Sequence, residues 1–186
     1  MNAVNTVIPT LETPHLILRP WKLEDADKLF KILQEPDILK YFPPTVFTLE
    51  KTLRYLNHQL THWQEHSYGH WAVTQKADDC VVGWNGLEYL PETDENEVAY
   101  LLSHQVWGRG YATEAARTAV KYGFETAGLP AIIGLVHPEN TGSIRVLEKC
   151  GLTFFDRKIY WGLEMCRYRI DSSPQVTANT PPSGSG

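Results

Sequence analysis

The sequence predicts an α/β domain with a mixed sheet, and three observations carry that prediction. Strand-like apolar runs alternate with helix-period segments in the order β-α-α-β-β-β-α-β-α-β-β, which sets helices against both sides of a sheet. A glycine-containing loop, from Gln105 to Ala112, joins a strand-like run to the clearest amphipathic helix of the chain. The 186 residues are 42% hydrophobic and 21% charged, an ordinary balance for one soluble domain with a single core.

Residues 15–19 read as the first strand, closed by Pro20 and Trp21. Glu24 and Asp25 open a helix that runs to Glu35, with Ala26, Leu29, Phe30 and Leu33 on one face and Pro36 as its stop. Residues 37–48 hold Tyr41, Phe42, Pro43, Pro44 and Phe47; so apolar a loop is expected to pack or to line something. A second helix spans residues 49–65, with an inward stripe of Leu53, Leu56, Leu60 and Trp63. Strands follow at 70–75 and 80–89 around a turn at Asp78 and Asp79, and an acidic loop, 91–96, leads into a strand over 97–103. The helix after the glycine loop repeats Ala112, Ala115, Ala116, Ala119, Val120, Gly123 and Phe124 at helical spacing until Gly128, Leu129 and Pro130 stop it. A strand at 132–136, a short helix at 141–149 and strands at 152–161 and 164–170 complete a domain over residues 14–170. Residues 1–13 are expected to form a flexible lead, and the Ser/Pro/Thr/Gly-rich tail, 171–186, to be disordered.

A net charge of −5 argues against a nucleic-acid partner, whose phosphates call for a basic face, and does not repel cationic amines. Cys80, Cys150 and Cys166 are odd in number and form no Cys-x-x-Cys pair, which points to a reducing, cytoplasmic setting. Residues 1–14 lack the basic-then-apolar pattern of an export signal, and no apolar run nears membrane-spanning length, so no membrane partner is expected. His58, His62 and His66 share one helical face with metal-like spacing. That face lies roughly opposite the leucine stripe, so the three are expected to face solvent and no metal is expected.

Strand, glycine loop and helix N-terminus together outline a pyrophosphate cradle, because glycines let the backbone approach a ligand and the helix start presents unpaired N–H groups. Three loops share this outline. A P-loop requires a lysine and a hydroxyl after the glycines, and neither follows here. A dinucleotide fingerprint requires a third glycine where Thr113 stands, and an acid after the next strand where His137, Pro138 and Glu139 stand. The third is the Gln/Arg-x-x-Gly-x-Gly/Ala signature, filled by Gln105, Gly108 and Gly110 and continued by Tyr111, Ala112, Thr113, Glu114 and Ala115. A second block, Asn140-x-x-Ser143-x-x-Val146-x-Glu148-Lys149-x-Gly151-Leu152, follows in the expected order. On these two motifs the chain resembles the GNAT superfamily of acetyl-CoA-dependent N-acetyltransferases over residues 16–170, and within it the RimJ/RimL-like branch of ribosomal-protein N-acetyltransferases.

The resemblance implies a mixed, mostly antiparallel sheet and a cosubstrate, acetyl-CoA, but no metal. It implies that backbone groups of Val106, Trp107, Gly108, Arg109, Gly110, Tyr111 and Ala112 hold the pyrophosphate, with Arg109 either adding a charge or standing as a solvated loop arginine. Backbone groups of Leu101, Leu102 and Ser103 would pair with the pantetheine arm, and an N–H near Leu102 would face the thioester carbonyl. Glu97 is the candidate base or amine-binding carboxylate, with Glu88 in reserve; the alternative is that Glu97 extends the acidic loop as a solvated rim. The family's tyrosine seven residues after the asparagine is Leu147 here, which leaves Ser143 as the hydroxyl for the departing thiolate. Asn140 would cap the short helix and bind the cofactor arm; the alternative is capping alone, since asparagine is a favoured N-cap. Trp84, Tyr41 and Phe42 are expected to wall an acceptor pocket.

The expected activity is acetyl transfer from acetyl-CoA to a primary amine by direct attack in a ternary complex. The acceptor would be a protein N-terminus or a small-molecule amine, and the chain a monomer or homodimer. Two alternatives stand beside it: a non-catalytic acyl-CoA-binding sensor or interaction module, motivated by the missing tyrosine, and an antibiotic or polyamine N-acetyltransferase, which an acidic acceptor pocket would favour.

Overall fold

A computed structural model describes residues 7–172. Residues 1–6 of the expected flexible lead, and 173–186 of the expected disordered tail, lie outside the described residues. The elements are β1 (Leu11–Glu12), β2 (Leu16–Arg19), α1 (Ala26–Leu33), α2 (Leu49–His66), β3 (His70–Gln75), β4 (Val81–Leu90), β5 (Glu95–Leu102), α3 (Tyr111–Glu125), β6 (Ala131–Val136), α4 (Thr141–Lys149), β7 (Thr153–Tyr160) and β8 (Leu163–Asp171). The eight strands form one sheet in the order β1-β2-β3-β4-β5-β6-β8-β7, antiparallel throughout except where β5 meets β6.

Two ends differ from expectation. β1 lies inside the segment expected to be flexible: Leu11 pairs with Leu18 and Glu12 with Ile17, and the Trp71 indole donates to the Pro9 carbonyl at 2.8 Å. A two-residue strand is too short to show a period of two, so nothing in the sequence marks it. Asp171, placed in the tail by composition, is the last residue of β8.

The alternation of side chains along the strands divides the core between the two faces. On one face Ala72, Val81, Trp84 and Leu101 pack against α1 and against Leu56 of α2. On the other, Leu16, Leu18, Val73, Leu87 and Val98 pack under the alanine stripe of α3, Ala115, Ala116 and Ala119, with Leu147 of α4 beyond it. Alanines on α3 bring its backbone close to the sheet. The end of α2 crosses the start of β3, where Trp63 meets Trp71 edge-on at 4.8 Å and Tyr122 of α3 at 5.8 Å. Such aromatic pairs add about 1 kcal/mol each beyond the area they bury.

The buried side of α2 is not the expected stripe. Thr52, Leu56, Gln59, His62 and Trp63 are buried, while Leu53 and Leu60 are only half-buried. His62 is therefore a core histidine, contrary to the solvent-facing expectation for all three. Its Nδ1 pairs with the Tyr68 carbonyl at 2.8 Å and its Nε2 accepts from the Tyr89 N–H at 3.1 Å, which fixes a neutral tautomer. Gln59 and His62 face inward because they satisfy backbone groups at the start of β3 and the end of β4, and polar residues on an inward face hide it from a hydrophobic pattern.

Across β6, Arg167 of β8 ties the half-sheets together. It pairs bidentately with Asp156 of β7, at 2.8 and 2.6 Å, and with Glu95 at the start of β5. The guanidinium is only 7% exposed. Removing one partner of a buried pair leaves an uncompensated charge, so Arg167→Ala is expected to cost about 3–5 kcal/mol in urea unfolding. Arg157→Ala, which breaks an exposed pair with Glu164, is expected to cost under about 1 kcal/mol.

Candidate active site

β5 and β6 register at a single position, Glu97 with Ile133, and diverge beyond it. The divergence opens a cleft of about 870 Å³ that runs from Tyr100, Asn140 and Ser143, past Glu97, to Glu88 and the histidines of α2. Tyr41, Phe42 and Pro43 of the α1–α2 loop line it, as the apolar composition of that loop requires, and so does Trp84. The Tyr41 ring stacks on His137 at 5.2 Å and its hydroxyl donates to the Glu139 carbonyl at 3.4 Å, so this loop reaches the β6–α4 connection.

Backbone parity decides which groups along β5 are free. Antiparallel pairing turns alternate residues toward the partner strand. The Ser103 N–H donates to the Val82 carbonyl of β4 at 2.8 Å, so Ser103, and by alternation Leu101, turn their backbone groups to β4. This corrects the expectation that both would pair with a ligand in the split. Leu102 alone of the three turns its N–H toward β6, while its carbonyl accepts from the Trp107 indole at 2.7 Å. The Ser103 side chain serves elsewhere. Its hydroxyl donates to Glu35 at 2.6 Å, and the other Glu35 oxygen accepts the His104 N–H at 2.8 Å. Glu35, at the end of α1, thus pins the entry of the glycine loop.

The loop itself is open. Gly108 and Gly110 have φ of +75° and +81°, and a Cβ on either would meet nothing within 4 Å. The space in front of them is free, and the backbone conformation is one that side chains resist. Gly110 caps α3 without a side chain, and the first backbone bond of the helix runs from Glu114 N–H to the Gly110 carbonyl at 3.0 Å. The amides of Tyr111, Ala112 and Thr113 precede that bond and face the open side. Gln105, Trp107 and Arg109 are exposed around the loop, whereas Val106 is buried beneath it.

On the far wall, Asn140 caps α4 by accepting the Ser143 N–H at 3.1 Å, and its side chain also lines the cleft. Ser143 is paired with a residue that the sequence did not single out. The Tyr100 hydroxyl lies 2.8 Å from Ser143 Oγ and 3.1 Å from the Ser143 carbonyl, and burial raises its pKa far above the ordinary phenol value. It stays a protonated donor. Strand alternation alone puts Tyr100 and Glu97 on opposite faces; the split lets both reach one cleft.

Glu97 and Glu88 stand directly opposite each other on β5 and β4. Burial raises the Glu97 pKa to about 8, with the Glu88 and Glu95 charges adding to it and only the Leu135 N–H, at 3.3 Å, opposing. Burial also pushes Glu88 upward, yet the His70 charge, the Gln59 amide and the His62 and His58 charges together outweigh it, and the net shift is downward. The Gln59 amide donates to it at 2.8 Å, and His70 Nε2 lies 3.4 Å away. Tyr55 is 2.8 Å from His70 Nδ1, and Trp84 stacks on the His70 ring at 4.5 Å. Burial lowers the His70 pKa to about 4, although the Glu88 charge opposes that shift. Glu97 therefore holds its proton to higher pH than Glu88 does. Among the described residues no group of three or more His, Cys, Asp or Glu is arranged to hold a metal, and no helix is long and apolar enough to cross a membrane.

The sequence model of the Acetyltransferase (GNAT) domain matches residues 15–153. The uncharacterized N-acetyltransferase p20 of Bacillus licheniformis is 34% identical over 141 residues, covering 75% of this chain and 79% of its own. A crystal structure of an acetyltransferase from Agrobacterium tumefaciens superposes with a TM-score of 0.78 at 27% identity, covering 92% of this chain and 99% of that one. The ribosomal-protein-S5-alanine acetyltransferase of Vibrio fischeri shares the fold at 18% identity, with a TM-score of 0.75 over 89% of this chain and 98% of its own.

The raised Glu97 pKa has a consequence for stability. Folding favours the protonated form, so the contribution is complete below the ordinary value of 4.5 and is lost as pH rises through about 8. Glu97→Gln, a neutral isostere, is expected to match the parent protein in urea midpoint at pH 4 and to exceed it progressively up to pH 9. A constant difference across that range would mean that the carboxyl titrates as a solvated one.

Proposed function

The chain belongs to the GNAT acetyltransferase family, and from that premise we propose that it transfers the acetyl group of acetyl-CoA directly to a primary amine in a ternary complex. The observation that carries this reading is the meeting of Glu97 and the Tyr100–Ser143 pair in one cleft at the strand split. In this reading the amides of residues 108–113 take the pyrophosphate at the open glycine loop, and the pantetheine arm runs along the free edge of β5. The Leu102 N–H faces the thioester carbonyl, where a fixed donor is worth roughly 3 kcal/mol to the developing oxyanion.

When an ammonium lodges between Glu88 and Glu97, the proton of Glu97 leaves to solvent, because opposite charge favours the ionised carboxylate. Glu97 then accepts a proton from that ammonium, and the freed nitrogen bonds to the acetyl carbon as the carbon–sulfur bond breaks. The second proton lost by the nitrogen goes to the departing sulfur, with Ser143, oriented by Tyr100, as the donor at that end. The products are the N-acetyl amine, the CoA thiol and one proton on Glu97 for release to solvent. A thiol with a pKa of about 8.5 leaves readily near neutrality, so a hydroxyl suffices where the family's tyrosine is absent.

Two variants separate the roles. Gly110→Val forces a β-branched residue to φ +81° and places its methyls in the open space, so acetyl-CoA affinity measured calorimetrically is expected to fall at least about tenfold. Unchanged affinity would remove the loop from the site. Glu97→Gln is expected to retain acetyl-CoA binding and to lower kcat by about 10²-fold. In the parent protein kcat/KM should rise with pH through a group near 8, separate from the ionisation of the acceptor amine, and the variant should lose that limb.

A further inference from the structure

The lining of the cleft also bears on which amine it receives. Glu88 and Glu97 lie half-buried on its floor, Glu65 and Glu92 stand exposed at its rim, and among the described residues no lysine or arginine lines it. Two of the imidazoles nearest the floor, those of His62 and His70, do not cancel this charge, whereas His58, His66 and His137 also line the cleft. Burial lowers the pKa of both His62 and His70, and His62 is locked neutral by its two backbone partners. The ring of His70 is 5% exposed, and its Nε2, at the cleft wall, has no hydrogen-bond partner of good geometry. Aromatic residues also line the cleft, Trp84, Tyr89 and Trp161 among them. Aromatic faces beside carboxylates attract cations and do little for anions or neutral polar chains. The Tyr41–His137 contact bounds the space on one side, which suits a compact molecule better than an extended polypeptide.

We propose that the acceptor is a small amine carrying at least one further positive charge, of the diamine or polyamine class. Its reacting nitrogen lies between Glu88 and Glu97, and its distal cation lies among the aromatic rings toward Glu65 and Glu92. This rests on the acetyl-transfer reading above. It also sets the cleft apart from one built for a protein N-terminus, which offers one ammonium followed by neutral peptide groups. Charge, not length, is the feature selected.

The test follows CoA release by the full chain with acetyl-CoA and four acceptors: 1,4-diaminobutane, spermidine, butylamine and a neutral tripeptide amide with a free N-terminus. The diamine is expected to exceed butylamine in kcat/KM by at least about tenfold, the worth of one further ion pair in a partly desolvated site. That advantage should shrink at 0.5 M salt, since rim charges are screened. It should also shrink in the Glu65→Gln/Glu92→Gln double variant, whose substitutions are exposed and place no demand on folding. Equal or faster turnover of butylamine or the tripeptide would overturn the dication proposal and leave acetyl transfer standing. No CoA release above the acceptor-free rate with any of the four would overturn both.

Discussion

The single register position between β5 and β6 is the constraint on which the site depends. β5 is held to β4 along its whole length, from Glu95 opposite Leu90 to Leu102 opposite Gly83. β6 is held in the same way to β8, from Ala131 to Val136. Each strand therefore belongs to its own antiparallel half-sheet, and the right-handed twist of each half carries the two apart beyond Glu97 and Ile133. Arg167 keeps the halves from separating altogether by spanning β6 to reach Glu95. The consequence is an interior strand with an unpaired edge. Backbone groups in that position cost free energy unless something bonds them, and in the proposed reading the pantetheine arm does so.

The same seam brings an electrostatic burden. Two carboxylates directly opposite on neighbouring strands repel, and burial sharpens the repulsion. The fold answers unequally. Glu88 receives the Gln59 amide and the His70 ring, whereas Glu97 has one backbone N–H at 3.3 Å. Burial pushes both carboxyls upward, and the partners that Glu88 has and Glu97 lacks turn the two shifts in opposite directions. Gln59 and His70 are in turn placed by the inward polar face of α2 and by Tyr55, so the acid–base state at the seam is set by residues two layers away. In the proposed reading, a cation between the two carboxyls favours ionisation of both, so that charge on the acceptor and readiness of the base would be one property.

Much of this was legible in the sequence, and the exceptions share a cause. α2, β3 and α4 follow from periodicity, caps and stop signals, because those are local. The glycine loop follows from spacing, because a backbone that must approach a ligand tolerates few residues. What was not legible depends on partners distant in the chain. His62 is buried by Tyr68 and Tyr89, β1 exists through its pairing with β2, and the Ser103 amide is committed to Val82. Tyr100 was hidden for a subtler reason. A strand shows two faces only while both neighbours are paired, and at a split edge residues of either parity reach the opening.

Tyr100 also bears on whether the absence of the family's tyrosine argues against catalysis. At that position Leu147 is 1% exposed and closes on Gly134, where even an added Cβ would lie 2.5 Å from its nearest methyl. Leu147 works as core packing between α4 and β6, and the glycine opposite it is cut to its shape. The phenol reappears on β5 instead, bonded to Ser143, so the cleft still holds a tyrosine hydroxyl beside the α4 helix. Under the proposed reading, the half-buried Tyr100–Ser143 pair would supply at the cleft the hydroxyl that position 147 does not, so Leu147 by itself is no argument against turnover.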